Sequence, residues 1–585
     1  MLRTIIPSAA SATSGYNPAM NSPLFPHLEF LYGAARAPEL RTRAETILTK
    51  YRALIQARDA GLTERDAILI TYGDQVQAPG EKPLRTLAAF CEDQLKDIVS
   101  GIHILPFYPW SSDDGFSVLD YRAVDPGLGD WQDIAALQPH FRLMFDGVIN
   151  HISAGSAWFE GFLRGDPRYR AYFIVVDGAP DLAQVVRPRA LPLLTAFQTP
   201  SGAQQVWTTF SADQVDLNYQ NPEVLLEILD ILLMYAQRGA DFIRLDAIAY
   251  LWKQIGTTCL HLPQTHRVIQ FLRAALDEVA PQVHLITETN VPHTENLSYF
   301  GDGANEAQLV YNFALPPLIL HTFQTGDARA LSAWAHSLAL PSGRTTFFNF
   351  LASHDGIGIN PARGILSEAE IAALVSRVLE HGGLVSYKNN PDGSTSPYEL
   401  NINYFDALSN PHDLRPGHPG AESLDVQVSR FMAAQACMLA LLGVPGIYFH
   451  SLFGSRGWRA GVQQSGMNRT INRQKCSLAE LQSELASQNS IRSKVFGQYR
   501  QLLNMRRSSP AFHPHGAQTI LDVHPSVFAL ERIAPGGESH MICMHNVSQK
   551  RVTFTYPSAT GPRASHNLTG TKMTLDPYQI SWIKQ

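Results

Sequence analysis

The chain has 585 residues, 45% of them hydrophobic and 17% charged, which suits two or three domains or one large barrel with insertions. Its 46 Lys and Arg against 52 Asp and Glu give a net charge of −6 without a long basic run, so nucleic acid is not an expected partner. No apolar run approaches the roughly eighteen residues that span a membrane, and the stretch at 431–444 reads as a short amphipathic core helix.

In chain order, residues 1–15 hold a few apolar positions broken by Pro7, too short an apolar core for a secretory signal. Residues 1–65 read as a polar leader followed by helices, with helical spacing over 38–58. Strands are expected at 67–72, 101–106, 143–151, 240–246 and 283–288, with weaker ones at 309–313, 346–351 and 446–449. Helical patterns at 222–237, 265–279 and 367–380 separate them, so the whole predicts a (β/α)₈ barrel from residue 66 to 510. Two connections are too long for plain loops. Residues 152–210 read as an inserted subdomain after the third strand, and 387–419 as an excursion before the eighth. A helix at 493–507 precedes short alternating strands at 526–530, 541–544, 552–556 and 580–583, a small all-β domain over 511–585. The five cysteines are odd in number and widely spaced, with no CxxC, which argues against a disulfide framework or zinc site and for a reducing cytoplasm.

The run Gly239-Ala240-Asp241-Phe242-Ile243-Arg244-Leu245-Asp246-Ala247 organises the rest. Asn221 can cap the helix before it, Pro222 suits the first turn, and Gly239 can end it. Arg244 and Asp246 are two apart on a strand and so share a face, and an interior ion pair at a strand's C-terminal end is costly unless something uses it. Other strand ends are also polar: Asp146, Asn150 and His151 after the third, Glu288 after the fifth, Ser353-His354-Asp355-Gly356 after the seventh. In a barrel these ends face one another. Three carboxylates framed by two histidines and an arginine suit glycosidic chemistry, with a nucleophile and an acid/base about 5–5.5 Å apart for retention. Arg244 would keep Asp246 ionised, and Asp355 with His354 and His151 would grip sugar hydroxyls. No metal or cofactor is needed. Asn150 has no obvious oxygen-rich cage around it, and His103 in the second strand reads as a satisfied core histidine.

Asp146-Gly147-Val148-Ile149-Asn150-His151, Phe242-Ile243-Arg244-Leu245-Asp246-Ala247, Ile286-Thr287-Glu288 and Ser353-His354-Asp355 resemble the four sequence regions of the α-amylase superfamily, in order and with every carboxylate present. The resemblance implies Asp246 as nucleophile, Glu288 as acid/base and Asp355 as transition-state stabiliser. Over residues 66–510 the chain is more finely similar to the sucrose phosphorylase subfamily. The marks are Gly101-Ile102-His103-Ile104-Leu105-Pro106-Phe107, Asp113-Asp114-Gly115-Phe116, Arg187-Pro188-Arg189, Gln214-Val215-Asp216, His354-Asp355-Gly356-Ile357-Gly358 and Asn468-Arg469-Thr470-Ile471-Asn472-Arg473. That likeness implies Asp113 and Arg469 for glucose hydroxyls, Phe116 as an apolar platform, Gln214 on the pocket wall and Arg189 for phosphate.

The acceptor loop departs from sucrose phosphorylases. Where those carry a Tyr-Gln pair, this chain has Tyr398-Glu399, with Lys388-Asn389-Asn390-Pro391-Asp392-Gly393 nearby. With the longer N-terminal extension, this resembles glucosylglycerate phosphorylases, which implies an α-glucoside and inorganic phosphate as substrates. An anionic acceptor wants a cation, for which Arg189, Lys388 and Arg456 are the candidates. Glu399 would bond a hydroxyl or position one of them. Sucrose, sucrose 6-phosphate or glucosylglycerol phosphorylase is the alternative, and a glucosidase or transglucosylase a more distant one. A non-enzymatic subunit of this fold would be expected to lack a carboxylate or to gain a membrane segment.

Overall fold

The computed structural model describes residues 22–56, 58, 61–390, 394–411, 421–556 and 570–585; the leader at 1–21 and parts of the 387–419 excursion, Pro391-Asp392-Gly393 among them, lie outside these. Eight parallel strands close a barrel: β1 (Ile68–Thr71), β2 (Gly101–Ile104), β3 (Arg142–Gly147), β4 (Ala240–Leu245), β5 (His284–Thr287), β6 (Leu309–Tyr311), β7 (Thr346–Asn349) and β8 (Val444–Tyr448). Each pairs with its sequence neighbours, and β8 closes on β1 with Ile70 opposite Tyr448. The strands are buried on both faces, which is why they read as continuous apolar runs. Several are shorter than the sequence implies, because chain beyond the barrel rim turns away to build loops.

The helix Pro222–Gln237 that feeds β4 is capped by the Asn221 side chain on the Glu223 amide and starts on proline. Gly239 then turns the chain at φ +99°, where a Cβ would strike Gln138. Helices Phe25–Tyr32 and Ala37–Arg52 brace this region from outside. Arg43 forks onto Glu223 with two 2.6 Å bonds, and the Tyr51 hydroxyl donates to the Asp230 carbonyl. The second of these helices ends at Arg52 rather than 58: the chain turns there, leaving Leu54 52% exposed while Ile55 packs against the core.

The helix expected at 431–444 runs instead over Leu424–Ala440, and Val444 already belongs to β8. It is buried all round from Arg430 to Ala440 rather than amphipathic, because the C-terminal sheet and the helix Ile491–Arg507 cover what would otherwise be its wet side. Its last carbonyls, Leu439 and Ala440, accept from the buried Arg506 and Arg532.

Between β3 and β4 lie a hairpin, Leu194–Thr199 with Gly202–Trp207, and an antiparallel pair, His151–Ser153 with Gln214–Asp216. Between β7 and β8 an antiparallel sheet orders Ile357–Gly358, Thr395–Asn401 and Leu384–Asn389 over the barrel mouth. The C-terminal part is all β: four antiparallel strands, Ala517–His524, Val527–Ile533, His540–Asn546 and Ile580–Lys584, and a pair, Val552–Tyr556 with Thr571–Leu575. All five cysteines are free and buried, and no helix among the described residues is long and apolar enough to cross a membrane.

Candidate active site

Parallel pairing of β3 with β4 sets Asp146 opposite Arg244, both pointing inward at the C-terminal end. Arg244 Nη1 lies 2.5 Å from Asp146 Oδ1 and 2.8 Å from Asp246 Oδ1, while Nη2 is 3.9 Å from Glu288 Oε1. Below, His103 Nε2 meets Asp146 Oδ2 at 2.7 Å, so this buried core histidine finds its partner in the ion network. The guanidinium also faces the Phe116 and Tyr311 rings at 5.7 and 5.4 Å. A cation this deeply buried is tolerable only with such paired carboxylates.

Ala247, next after Asp246, sits in the left-handed region at φ 48°, and its amide donates to Glu288 Oε2 at 2.9 Å. Strain of this kind in a non-glycine residue persists where the surroundings over-determine it. Burial, the largest influence, raises the Asp246 and Glu288 carboxyls together. Arg244 opposes this from 2.8 Å at Asp246 and from 3.9 Å at Glu288, and the Ala247 amide and Arg469 oppose it further at Glu288.

Asp355 closes the triangle. Arg469 Nη1 lies 2.7 Å from its Oδ1, with His354 Nε2 at 3.4 Å and Arg473 Nη2 at 3.7 Å. Burial works against its charge, but these neighbours, Arg469 foremost, outweigh it and hold the carboxyl below the ordinary range. At Asp113 the same contest, with Arg189, Arg469 and Arg473 against burial, brings the group down to about 2. Asp113 and Asp114 both have positive φ, and Arg473 ties Asp114 down at 2.6 Å. Phe116 stacks flat on His354 with centroids 4.7 Å apart. Burial drives His354 down to about 3 and His151 to about 4, so both are neutral. His151 Nε2 donates to the Phe116 carbonyl at 2.9 Å, an acceptor shared with Gln214 Nε2.

In the loop expected to meet the acceptor, Tyr398 lines the same cavity as Asp246, Glu288 and Asp355. Of the three candidate cations only Arg189 lines it, its Nη2 3.0 Å from Asp113 Oδ2 and its guanidinium 5.7 Å from the Phe210 ring. Arg456 is turned away onto Asp406 at 2.8 Å and Gln427 at 2.7 Å, which already use its charge and fork. Lys388 points toward Asn360, outside the cavity lining. Glu399 meets none of the three: it clamps Arg469, Nε to Oε2 at 3.1 Å and Nη2 to Oε1 at 2.9 Å.

The family model of the α-amylase catalytic domain matches residues 93–356. The chain is 52% identical to the glucosylglycerate phosphorylase of Allomeiothermus silvanus over 97% of its own length and all of that protein, and 45% identical to that of Escherichia coli over the same shares. It is also 30% identical to a sucrose phosphorylase of Agrobacterium vitis, covering 76% of this chain and 88% of that one. The chain belongs to the α-amylase superfamily, in its sucrose phosphorylase subfamily. It is a phosphorylase of the glycosyltransferase type, acting on glucosides. The fold of this phosphorylase is shared with the crystal structure of a sucrose 6F-phosphate phosphorylase from Thermoanaerobacter thermosaccharolyticum, at a TM-score of 0.71 and 23% identity, over 89% of this chain and all of that one.

Several residues around the phosphorylase pocket escaped the sequence reading. Phe210, Tyr250, Thr289 and Asn290 line it; Tyr250 ends a short 3-10 helix and the others lie in loops, whose direction depends on the fold. Lys253 is the most instructive. Its Nζ lies 2.5 Å from Asp216 Oδ2 and 2.7 Å from Asn150 Oδ1, fully buried. Asp216 also accepts from the Thr209 amide and hydroxyl, at 2.7 Å each. A lysine seven positions after Asp246 thus joins Asn150, beyond the end of β3, to Asp216, which in turn holds Thr209. Its position, shortly after the strand that carries Arg244 and Asp246, was the available signal.

Proposed function

We propose that this phosphorylase converts 2-O-α-D-glucosyl-D-glycerate and phosphate into α-D-glucose 1-phosphate and D-glycerate with retention. Asp246 attacks the anomeric carbon as its bond to the glycerate oxygen breaks, and Glu288 gives that oxygen its proton. In the second half-reaction a phosphate oxygen attacks the anomeric carbon of the glucosyl-Asp246 ester from the face that glycerate left, opposite Asp246; Asp246 leaves as carboxylate, and Glu288 takes back any proton the phosphate carries. Asp355 faces the positive charge that develops on the sugar. Asp113, Arg469, His151 and His354 hold glucose hydroxyls, Gln214 and Phe116 shape the wall, and Arg189 meets the anion.

The observation that carries the reading is the shared guanidinium. One arginine spans Asp246 and Glu288, and the Ala247 amide hydrogen-bonds Glu288, so both carboxyls face one guanidinium, which supports reading them as a retaining pair. The choice of glycerate rests on near full-length likeness to glucosylglycerate phosphorylases and on Arg189 being the candidate cation at the cavity. Five free, buried cysteines suit a reducing cytoplasm.

The test is glucose 1-phosphate release from glucosylglycerate, sucrose, sucrose 6-phosphate and glucosylglycerol, each with and without phosphate. Phosphate-dependent release from glucosylglycerate alone is expected. Release from another donor would overturn the acceptor assignment, and free glucose formed equally without phosphate would overturn phosphorolysis.

A further inference from the structure

Glu399 stands beside Tyr398 in the acceptor loop, where a direct contact to substrate is the natural expectation. Its carboxylate is already committed. Oε2 accepts from Arg469 Nε at 3.1 Å, and Oε1 accepts from Arg469 Nη2 at 2.9 Å and from the Gly356 amide at 3.1 Å. The side chain is 4% exposed. Both of its partners lead to one group. Arg469 Nη1, the remaining arm of the fork, reaches Asp355 Oδ1 at 2.7 Å, and Gly356 is the residue bonded to Asp355.

The backbone explains why the grip forms here. The chain after Asp355 enters the short strand Ile357–Gly358, which pairs antiparallel with Thr395–Asn401 so that Gly358 lies opposite Glu399. A Cβ at Gly356 would come within 2.5 Å of Glu399 Cγ and 2.7 Å of the Leu400 carbonyl, so a glycine is required for this approach.

We propose that Glu399 is a positioning residue for Asp355, holding its carboxylate through Arg469 and its backbone through the Gly356 amide. The strand that carries acceptor-side Tyr398 thereby also fixes the group that faces the sugar. This rests on the transition-state role proposed for Asp355. Glu399 also balances the Arg469 charge near Glu288, which is faced by Arg244 and Asp246 from β4, Asp355 from the loop after β7, Tyr250, and Tyr398. Arg469 is among the groups that lower the Glu288 carboxyl, so removing its counter-charge lowers it further.

The test uses the full chain, α-D-glucosyl fluoride as a donor without an acceptor group, and Glu399→Gln, which keeps the shape and removes the charge. Turnover of the fluoride with phosphate is expected to fall about 10- to 100-fold, as is typical for outer residues that orient an active group, with the phosphate KM changed less than about threefold. The alkaline limb of kcat/KM for glucosylglycerate, whose poor leaving group needs the Glu288 proton, is expected to move to lower pH, a shift that a merely structural role would not produce. Glu399→Asp, which keeps the charge but shortens the reach, is expected to lose turnover with the limb unmoved. This second variant decides the matter if Glu399→Gln does not fold. Native turnover of the fluoride in both variants, with a raised KM for glycerate in the reverse reaction, would overturn the proposal and make Glu399 an acceptor contact. Failure of the native enzyme to release glucose 1-phosphate from any donor would instead remove the parent reading.

Discussion

Replacing Arg244 by methionine removes the cation that Asp146, Asp246 and Glu288 share. The side chain is 2% exposed and holds the first two carboxylates at 2.5 and 2.8 Å. Methionine fills much of the space, and His103 stays on Asp146. Deleting one partner of a buried pair costs about 3–5 kcal/mol, so the free energy of unfolding at about pH 8 should fall by that amount. The pH dependence has a definite sign. At Asp146 burial raises the carboxyl, but His103 and Arg244 together outweigh it and leave it below its ordinary value. A depressed native pKa contributes stability that is present above the unfolded value of about 3.9 and is lost as pH falls through the native one. Without Arg244, Asp146 keeps His103, while the burial that already raises the Asp246 carboxyl loses its nearest opposition and raises it further. Asp246 then opposes folding more strongly when charged and stops doing so as it takes up a proton on acidification. The deficit against the native chain should therefore shrink between about pH 8 and pH 5, by about 1.4 kcal/mol per pH unit for each proton taken up. Urea unfolding of both proteins at the two pH values measures this, with the m-values compared to check that the same surface is exposed. An equal deficit at both values would refute the reasoning, since it would mean that lost packing rather than uncompensated charge sets the cost.

Glu288→Gln should slow turnover of donors with poor leaving groups far more than that of α-glucosyl fluoride, and azide, which needs no base, should restore part of the second half-reaction as glucosyl azide. Absence of that product with a good leaving group would count against Glu288 as acid/base. Arg189→Ala removes a charge-assisted anion contact of about 1.5–3 kcal/mol, so the phosphate KM should rise roughly 10- to 150-fold while hydrolysis of α-glucosyl fluoride persists. An unchanged phosphate KM would show that Arg189 serves only its ion pair with Asp113.

The barrel and the gathering of polar strand ends at its mouth were legible because their signals are local. Alternation put Arg244 and Asp246 on one face at the end of β4 whatever surrounds them, and a closed parallel barrel brings the ends of β3, β4, β5 and β7 together from residues that lie tens of positions apart or more in the chain. The Asn221 cap and Pro222 likewise announced the start of the helix before β4, since a cap acts within its own turn. What the sequence could not decide was which partner each long side chain takes. Arg189 and Arg456 are alike on paper, yet one sits at the cavity while the other is held by Asp406, 50 positions away, and Gln427. Glu399 gives its charge to Arg469, 70 positions on, and Lys253 gives its own to Asn150 and Asp216. The reason is physical. Backbone hydrogen bonding and the period of apolar positions are fixed by neighbours along the chain. The pairing of buried charges is instead chosen among all groups that folding brings within a few ångströms, where leaving any of them unpaired costs several kcal/mol.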